Sequence, residues 1–157
     1  DVGAFDFISK PFNKDLLLLK VKTMLQSREE YKNYLKKQFL EQPASLFSET
    51  PEDKFMISVH RILEKNYPNP DFSIEKFASE LGYSRSQLFR KLKATIDTSP
   101  LDYLKIYRLK KAKELLLSGT RRVSDVAFET GFNDPVYFSI CFKNYFGTPP
   151  NQFIKNK

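Results

Sequence analysis

Between residues 78 and 150 the chain repeats itself, and no other feature narrows its possible folds as far. A shift of 49 residues lays Ala78 on Ala127, Gly82 on Gly131 and Tyr83 on Phe132. A shift of 50 lays Leu88 on Phe138, Leu92 on Phe142, Thr98 on Thr148 and Pro100 on Pro150. The one-residue change falls just after the glycine, where an insertion disturbs no packing. Each copy has the pattern of a short helix, a tight turn and a second helix. Gly82 and Gly131 stand where such a turn needs positive φ. Ala78 and Ala127 are small enough for the second helix to cross closely, while Ser84 and Asn133 or Asp134 suit its N-cap.

One helix-turn-helix pair is also a common structural hairpin, so the link between the two copies matters. Pro100 suits a first-turn position, and residues 101–117 carry Leu104, Leu109, Ala112, Leu115 and Leu116 with no breaker before Gly119. About 18 residues rising about 1.5 Å each span roughly 27 Å. Successive major grooves on one face of DNA lie about 34 Å apart. A rod of that length is compatible with placing two second helices in adjacent grooves.

The charge distribution points the same way. The net charge is +7, and residues 84–122 carry 11 Lys/Arg against 3 Asp/Glu, so the whole excess sits in one central stretch. A basic stripe is the footprint of a phosphate-backbone binder, although a charge run is equally read as the solvated face of a helix. Other chemistry is thinly represented. One cysteine, Cys141, excludes a disulfide framework or thiolate cluster, and one histidine, His60, leaves no catalytic set to assemble. No catalytic residue, cofactor or metal site is expected. Leu16 to Leu19 is followed at once by Lys20 and Lys22, too soon for a membrane span. The first residue is Asp1 and no signal pattern follows, so the chain reads as a cut from a longer cytoplasmic protein, any membrane anchor lying upstream in the parent.

Ahead of the repeat, residues 4–12 are the one short strand candidate. Asn13 can cap a helix over about 14–40, with Leu17, Val21, Met24, Tyr31 and Leu35 spaced by fours and threes. Pro43 and residues 45–51 read as linker. A helix over 52–66 follows, with Phe55, Val59, Ile62 and Leu63 on one face.

Several runs at these positions carry a resemblance. They are Arg108-Leu109-Lys110-Lys111-Ala112-Lys113-Glu114-Leu115-Leu116, Gly131-Phe132-Asn133-Asp134-Pro135-Val136-Tyr137-Phe138-Ser139, and Phe142-Lys143-Asn144-Tyr145-Phe146-Gly147-Thr148-Pro149-Pro150. Over about 52–157 the chain resembles the AraC/XylS family of transcription regulators. The resemblance implies a mainly α fold of seven helices, with two helix-turn-helix subdomains (about 74–95 and 123–146) joined by a long central helix (about 100–118). It implies double-stranded DNA as partner, contacted by Arg85, Ser86, Gln87, Phe89 and Arg90 on the first recognition helix. On the second it implies Asn133, Asp134, Pro135, Val136, Ser139, Ile140 and Lys143. Two departures stand out: Asp97 replaces a customary glycine but tolerates the left-handed conformation, and Ile140 replaces a customary Arg or Lys.

Residues 1–25, above all Gly3-Ala4-Phe5-Asp6-Phe7-Ile8-Ser9-Lys10-Pro11-Phe12, resemble the end of a response-regulator receiver domain, with Lys10 as its active-site lysine. Residues 26–51 are then a helical linker. The combination resembles a two-component response regulator, or equally the C-terminal end of a hybrid histidine kinase.

From the residues themselves, Arg can grip guanine bidentately, and Lys or Arg neutralises phosphates. Ser84, Lys91, Lys93, Arg121 and Arg122 are expected at the phosphate backbone, Ser124 as a helix cap, and Arg108, Lys110, Lys111 and Lys113 as a solvated face. Phe89 either meets a thymine methyl or packs on the preceding helix. Tyr137, Phe138, Phe142, Tyr145 and Phe146 read mostly as core, Cys141 as a small packed side chain, and His60 as a surface or edge residue. Phe5, Phe7 and Ile8, from a strand whose sheet is absent, and Leu16 to Leu19 are expected to promote a homodimer through the N-terminal segment. Two alternatives remain: a nonspecific nucleic-acid-binding module, and a dimerisation or protein-interaction module with the repeat as scaffold.

Overall fold

The computed structural model describes residues 13–41, 50–119 and 122–155, and eight helices follow one another along them. These are α1 (Lys14–Glu41), α2 (Pro51–Asn66), α3 (Ile74–Glu80), α4 (Arg85–Ile96), α5 (Pro100–Leu117), α6 (Val123–Glu129), α7 (Pro135–Phe146) and α8 (Pro150–Lys155). No strand occurs among the described residues; the one expected at 4–12, with Lys10, lies outside them. Seven helices, α2 to α8, fall within residues 50–155, the number the resemblance implies.

The ends of these helices are written locally. Thr50, Ser73, Ser84, Ser99 and Asp134 each sit in extended backbone and accept a hydrogen bond from an N–H of the first turn. Pro51, Pro100 and Pro135 follow three of those caps, where the missing N–H would have had no intrahelical partner. The repeat reappears in the turns. Tyr83 N–H donates to the Ala78 carbonyl at 2.9 Å, and Phe132 N–H to the Ala127 carbonyl at 2.9 Å. Asp97 ends α4 with φ 50°, so the left-handed turn survives without glycine. One cap differs from expectation: Arg122 holds the N-cap of α6 without a side-chain bond, and Ser124 lies one residue inside the helix.

Two hydrophobic cores result, and α5 runs through both. The first joins Phe55, Val59 and Leu63 of α2, Phe77 and Ala78 of α3, and Leu88, Leu92 and Ile96 of α4 to Tyr103 and Leu104 of α5. The second joins Leu109, Ala112 and Leu116 of α5 to Val126 and Ala127 of α6 and to Phe138 and Phe142 of α7. Full burial of each Val, Leu, Ile or Phe among them contributes about 1.5–3 kcal/mol. Because the one helix is a wall of each core, neither subdomain can turn about α5 without opening its own packing.

The α2–α5 seam is polar and aromatic. His60 Nε2 shares a hydrogen bond with the buried Tyr103 hydroxyl at 2.6 Å, and its ring stands edge-on to Tyr107. The expected edge histidine is thus built into an interhelical contact. The Tyr107 hydroxyl donates to Glu64, and Lys111 pairs with the same carboxylate at 2.9 Å. Burial raises the Glu64 carboxyl, but the Tyr107 and Lys111 donors outweigh it and hold it below the usual value.

The helix α1 lies against α4 but contributes to neither core. Its spacing of apolar residues by threes and fours does not become a buried stripe, since Val21, Met24 and Tyr31 are exposed, along with Leu16, Leu18, Leu19 and Leu25.

Candidate nucleic-acid interface

The second helix of each unit, α4 and α7, buries only the stripe that holds it to its core. On α4 that stripe is Leu88, Leu92, Thr95 and Ile96, which leaves Arg85, Ser86, Gln87, Phe89, Arg90, Lys91 and Lys93 exposed. On α7 it is Phe138 and Phe142, with Asn133, Asp134, Val136, Ile140 and Lys143 exposed and Pro135 and Ser139 half-buried.

Several exposed groups on α4 already have partners. Ser84 accepts from Gln87 N–H, and the Gln87 side-chain oxygen accepts from Ser84 N–H at 2.8 Å, a reciprocal capping box. The Gln87 oxygen is thus turned back to the N-cap, which leaves the amide N–H groups better placed than the oxygen to reach a groove. Arg85 is ion-paired with Glu75 at 2.9 Å, and Lys93 with Asp97 at 2.9 Å. Both pairs are well exposed, so each is weak and yields readily to a phosphate. The Lys91 ammonium stands 4.9 Å from the Phe55 ring centre and 5.4 Å from that of Tyr83. These rings, 36 and 8 residues before Lys91 in the sequence, hold its long side chain beside a shallow pocket of about 380 Å³ lined by Tyr83, Gln87, Arg90 and Lys91. Phe89 is 46% exposed, so it is not fully packed on the preceding helix.

On α7, Asp134 caps the helix through Val136 N–H at 2.8 Å, and the Ser139 hydroxyl donates to the Pro135 carbonyl at 2.8 Å. Ile140 is 53% exposed, so it is a surface side chain and not a core one. Arg122 is exposed beside the start of α6, while Arg121 lies outside the described residues. Of the ring cluster expected in the core, Phe138 and Phe142 are buried and Phe146 is half-buried, but Tyr137 and Tyr145 are exposed. Tyr137 aligns with Gln87 under the shift of 50, and that register was the signal placing it on the outer face. Asn144, which aligns with Ala94, joins the same side. A cleft of about 480 Å³ separates the two second helices, with Phe89 and Lys93 on one wall, Cys141, Asn144 and Tyr145 on the other, and Lys105 and Ile106 of α5 as its floor.

The basic face expected on α5 is largely not free. Arg108 donates to the Tyr67 carbonyl at 3.0 Å and the Asn69 carbonyl at 2.7 Å. Lys111 is held by Glu64, and Lys113 lies over the Phe146 and Phe153 rings. The remaining cations of the stripe concentrate on α4.

Two helix-turn-helix units, each presenting its second helix from a shared connecting helix, define the class of domain. Residues 77–156, half of the chain, match the family described as helix-turn-helix domain, and the chain belongs to that family, in its AraC-type form. It is 32% identical to histidine kinase P4 of Formosa agariphila over 151 residues, which is 96% of this chain and 11% of that protein. The C-terminal domain of the two-component response regulator yesN from Fusobacterium nucleatum superposes with a TM-score of 0.57 at 30% identity, covering 61% of this chain and 93% of that one. The DNA-binding domain of the transcriptional factor AdpA, solved with a target DNA, superposes with a TM-score of 0.59 at 25% identity, covering 68% of this chain and 91% of that one. The chain thus spans about a tenth of the length of the kinase it matches. No helix among the described residues is long and apolar enough to cross a membrane.

Proposed function

We propose that this segment is the DNA-binding output domain of a transcription regulator, reading a specific double-stranded site with α4 and α7. The observation that carries the proposal is the pair of capped, outward-facing second helices mounted on one 18-residue helix shared by both cores. Arg90, Ser86, Phe89 and the Gln87 amide are the base-facing groups of α4, with Arg85 joining them once released from Glu75. Asn133, Asp134, Pro135, Val136, Ser139, Ile140 and Lys143 form the α7 side. Ser84, Lys91, Lys93, Arg121 and Arg122 meet phosphates. Affinity for a random-sequence duplex should fall linearly in log–log form with salt, with a slope set by several phosphate contacts. A flat salt response with binding preserved contradicts this electrostatic footprint.

The parent is proposed to be a two-component signalling protein working in the cytoplasm, with residues 1–25 as the end of a receiver domain. The alignment to the histidine kinase supports this, because 151 of 157 residues must reach into that N-terminal segment. Self-association through α1 belongs to the same reading. Leu18 and Leu25, seven residues apart, are both exposed and share a helix face. Sedimentation should show a concentration-dependent dimer that Leu18→Glu with Leu25→Glu abolishes. A monomer at high concentration in the unsubstituted chain removes the dimer from the account.

A further inference from the structure

The two turn glycines are equivalent in sequence but not in surroundings. Gly82, at φ 74°, is exposed, and a Cβ built there would meet nothing within 4 Å. Gly131, at φ 82°, is buried, and its Cβ would fall 2.3 Å from the Tyr67 carbonyl oxygen and 2.9 Å from Arg108 Nε. The second turn is therefore seated directly on a pair of groups belonging to the first subdomain and to α5. Tyr67 is the C-cap of α2, and Arg108 binds its carbonyl and that of Asn69 with two arms of one guanidinium. A positive group at carbonyls leaving a helix C-terminus is also favoured by the helix dipole. Burial pushes the Arg108 pKa down, but a guanidinium stays charged at any ordinary pH.

We propose that Arg108 is the positioning residue that fixes the second recognition helix relative to the first. It fastens the loop after α2 to α5, and that fastened surface is the seat for the turn between α6 and α7. The α6–α7 unit is thereby held from two directions: by its core on α5, and by the contact of Gly131 with Tyr67 and Arg108. The inference rests on the DNA-binding reading for its consequence, which is a strict spacing between the two half-sites. Lysine cannot replace the residue, since one ammonium lacks the planar fork that reaches both carbonyls.

The test has one arm without DNA and one with it. Spin labels at Ser79→Cys and Val136→Cys, in a Cys141→Ala background, report the distance between the two units in the whole chain. The parent should give one narrow distance distribution. Arg108→Ala and Arg108→Lys should broaden it, while circular dichroism shows the helices intact. Lysine retains the charge and most of the stem, so it reports on the lock if the alanine variant fails to fold. In the second arm, one base pair is inserted between the half-sites of a selected duplex. The parent should lose about tenfold or more in affinity, and the Arg108→Lys chain clearly less. A distribution as narrow in Arg108→Lys as in the parent overturns the proposal. Broadening without any DNA binding by the parent upholds the lock and instead removes the DNA-binding reading.

Discussion

Gly131→Ala is expected to destabilise the fold by about 2–5 kcal/mol, while the equivalent change at Gly82 costs only about 1–2 kcal/mol. Both positions hold left-handed backbone, and an added Cβ there carries a penalty of roughly 1–2 kcal/mol wherever it occurs. At Gly82 that is the whole effect, because the new methyl points into open space. At Gly131 the methyl would meet a main-chain oxygen at 2.3 Å, and a backbone carbonyl cannot swing aside as a side-chain tip can. Either the turn lifts off the first subdomain or the Arg108–Tyr67 bond breaks, and such overpacking adds about 1–3 kcal/mol. Urea unfolding of the two variants, compared at equal m-value, measures the difference directly. Equal losses at the two glycines would show that the contact of the second turn with Tyr67 and Arg108 does not exist in solution.

That contrast marks the limit of what the sequence reveals. The repeat, the turns and the caps are local, so Gly82, Gly131 and Ser84 can be placed from their neighbours alone; the second cap stays open between Asn133 and Asp134, and the place of Asp97 comes from the resemblance. The stripes on α2, α4 and α5 were legible for the same reason: a period of 3.6 residues reports which side chains share a face. It does not report what that face meets. Arg108 reads as one of four cations on a solvated helix, yet its acceptors stand 41 and 39 residues earlier in the chain. His60 reads as an edge residue, and its partner Tyr103 is 43 residues away. Lys91 is expected to reach a phosphate, and nothing in its own helix foretells Phe55 and Tyr83 beneath its ammonium. In α1 the failure runs the other way. The apolar spacing is genuine, but no element among the described residues covers Leu18, Met24 or Leu25.

Arg90→Ala is expected to weaken binding to the specific site by about 1–3 kcal/mol and to relax preference at one or two base pairs. The reason lies in the asymmetry of the repeat. Under the shift of 50, Arg90 corresponds to Ile140 and Lys93 to Lys143, while Arg85 and Lys91 correspond to Pro135 and Cys141. The first of the two second helices thus holds most of the charge and the arginines able to grip guanine. The second offers Val136 and Ile140, both exposed, which can meet thymine methyls but cannot grip guanine. Ile140→Ala should cost less than Arg90→Ala, and because Ile140 is a surface residue the change should leave stability nearly unaltered. Ile140→Arg should strengthen binding by adding a phosphate or base contact at the second groove.

The central claim is that α4 and α7 together read one duplex, and equilibrium binding at a fixed salt concentration tests it most directly. Duplexes selected from a random pool by the unsubstituted chain should contain two short conserved blocks about one helical turn apart. Binding to such a duplex should exceed that to a scrambled one by at least about a thousandfold, and Arg90→Ala should remove part of that margin. Selected and scrambled duplexes bound equally well, with Arg90→Ala lowering both alike, would contradict sequence-specific reading by these helices.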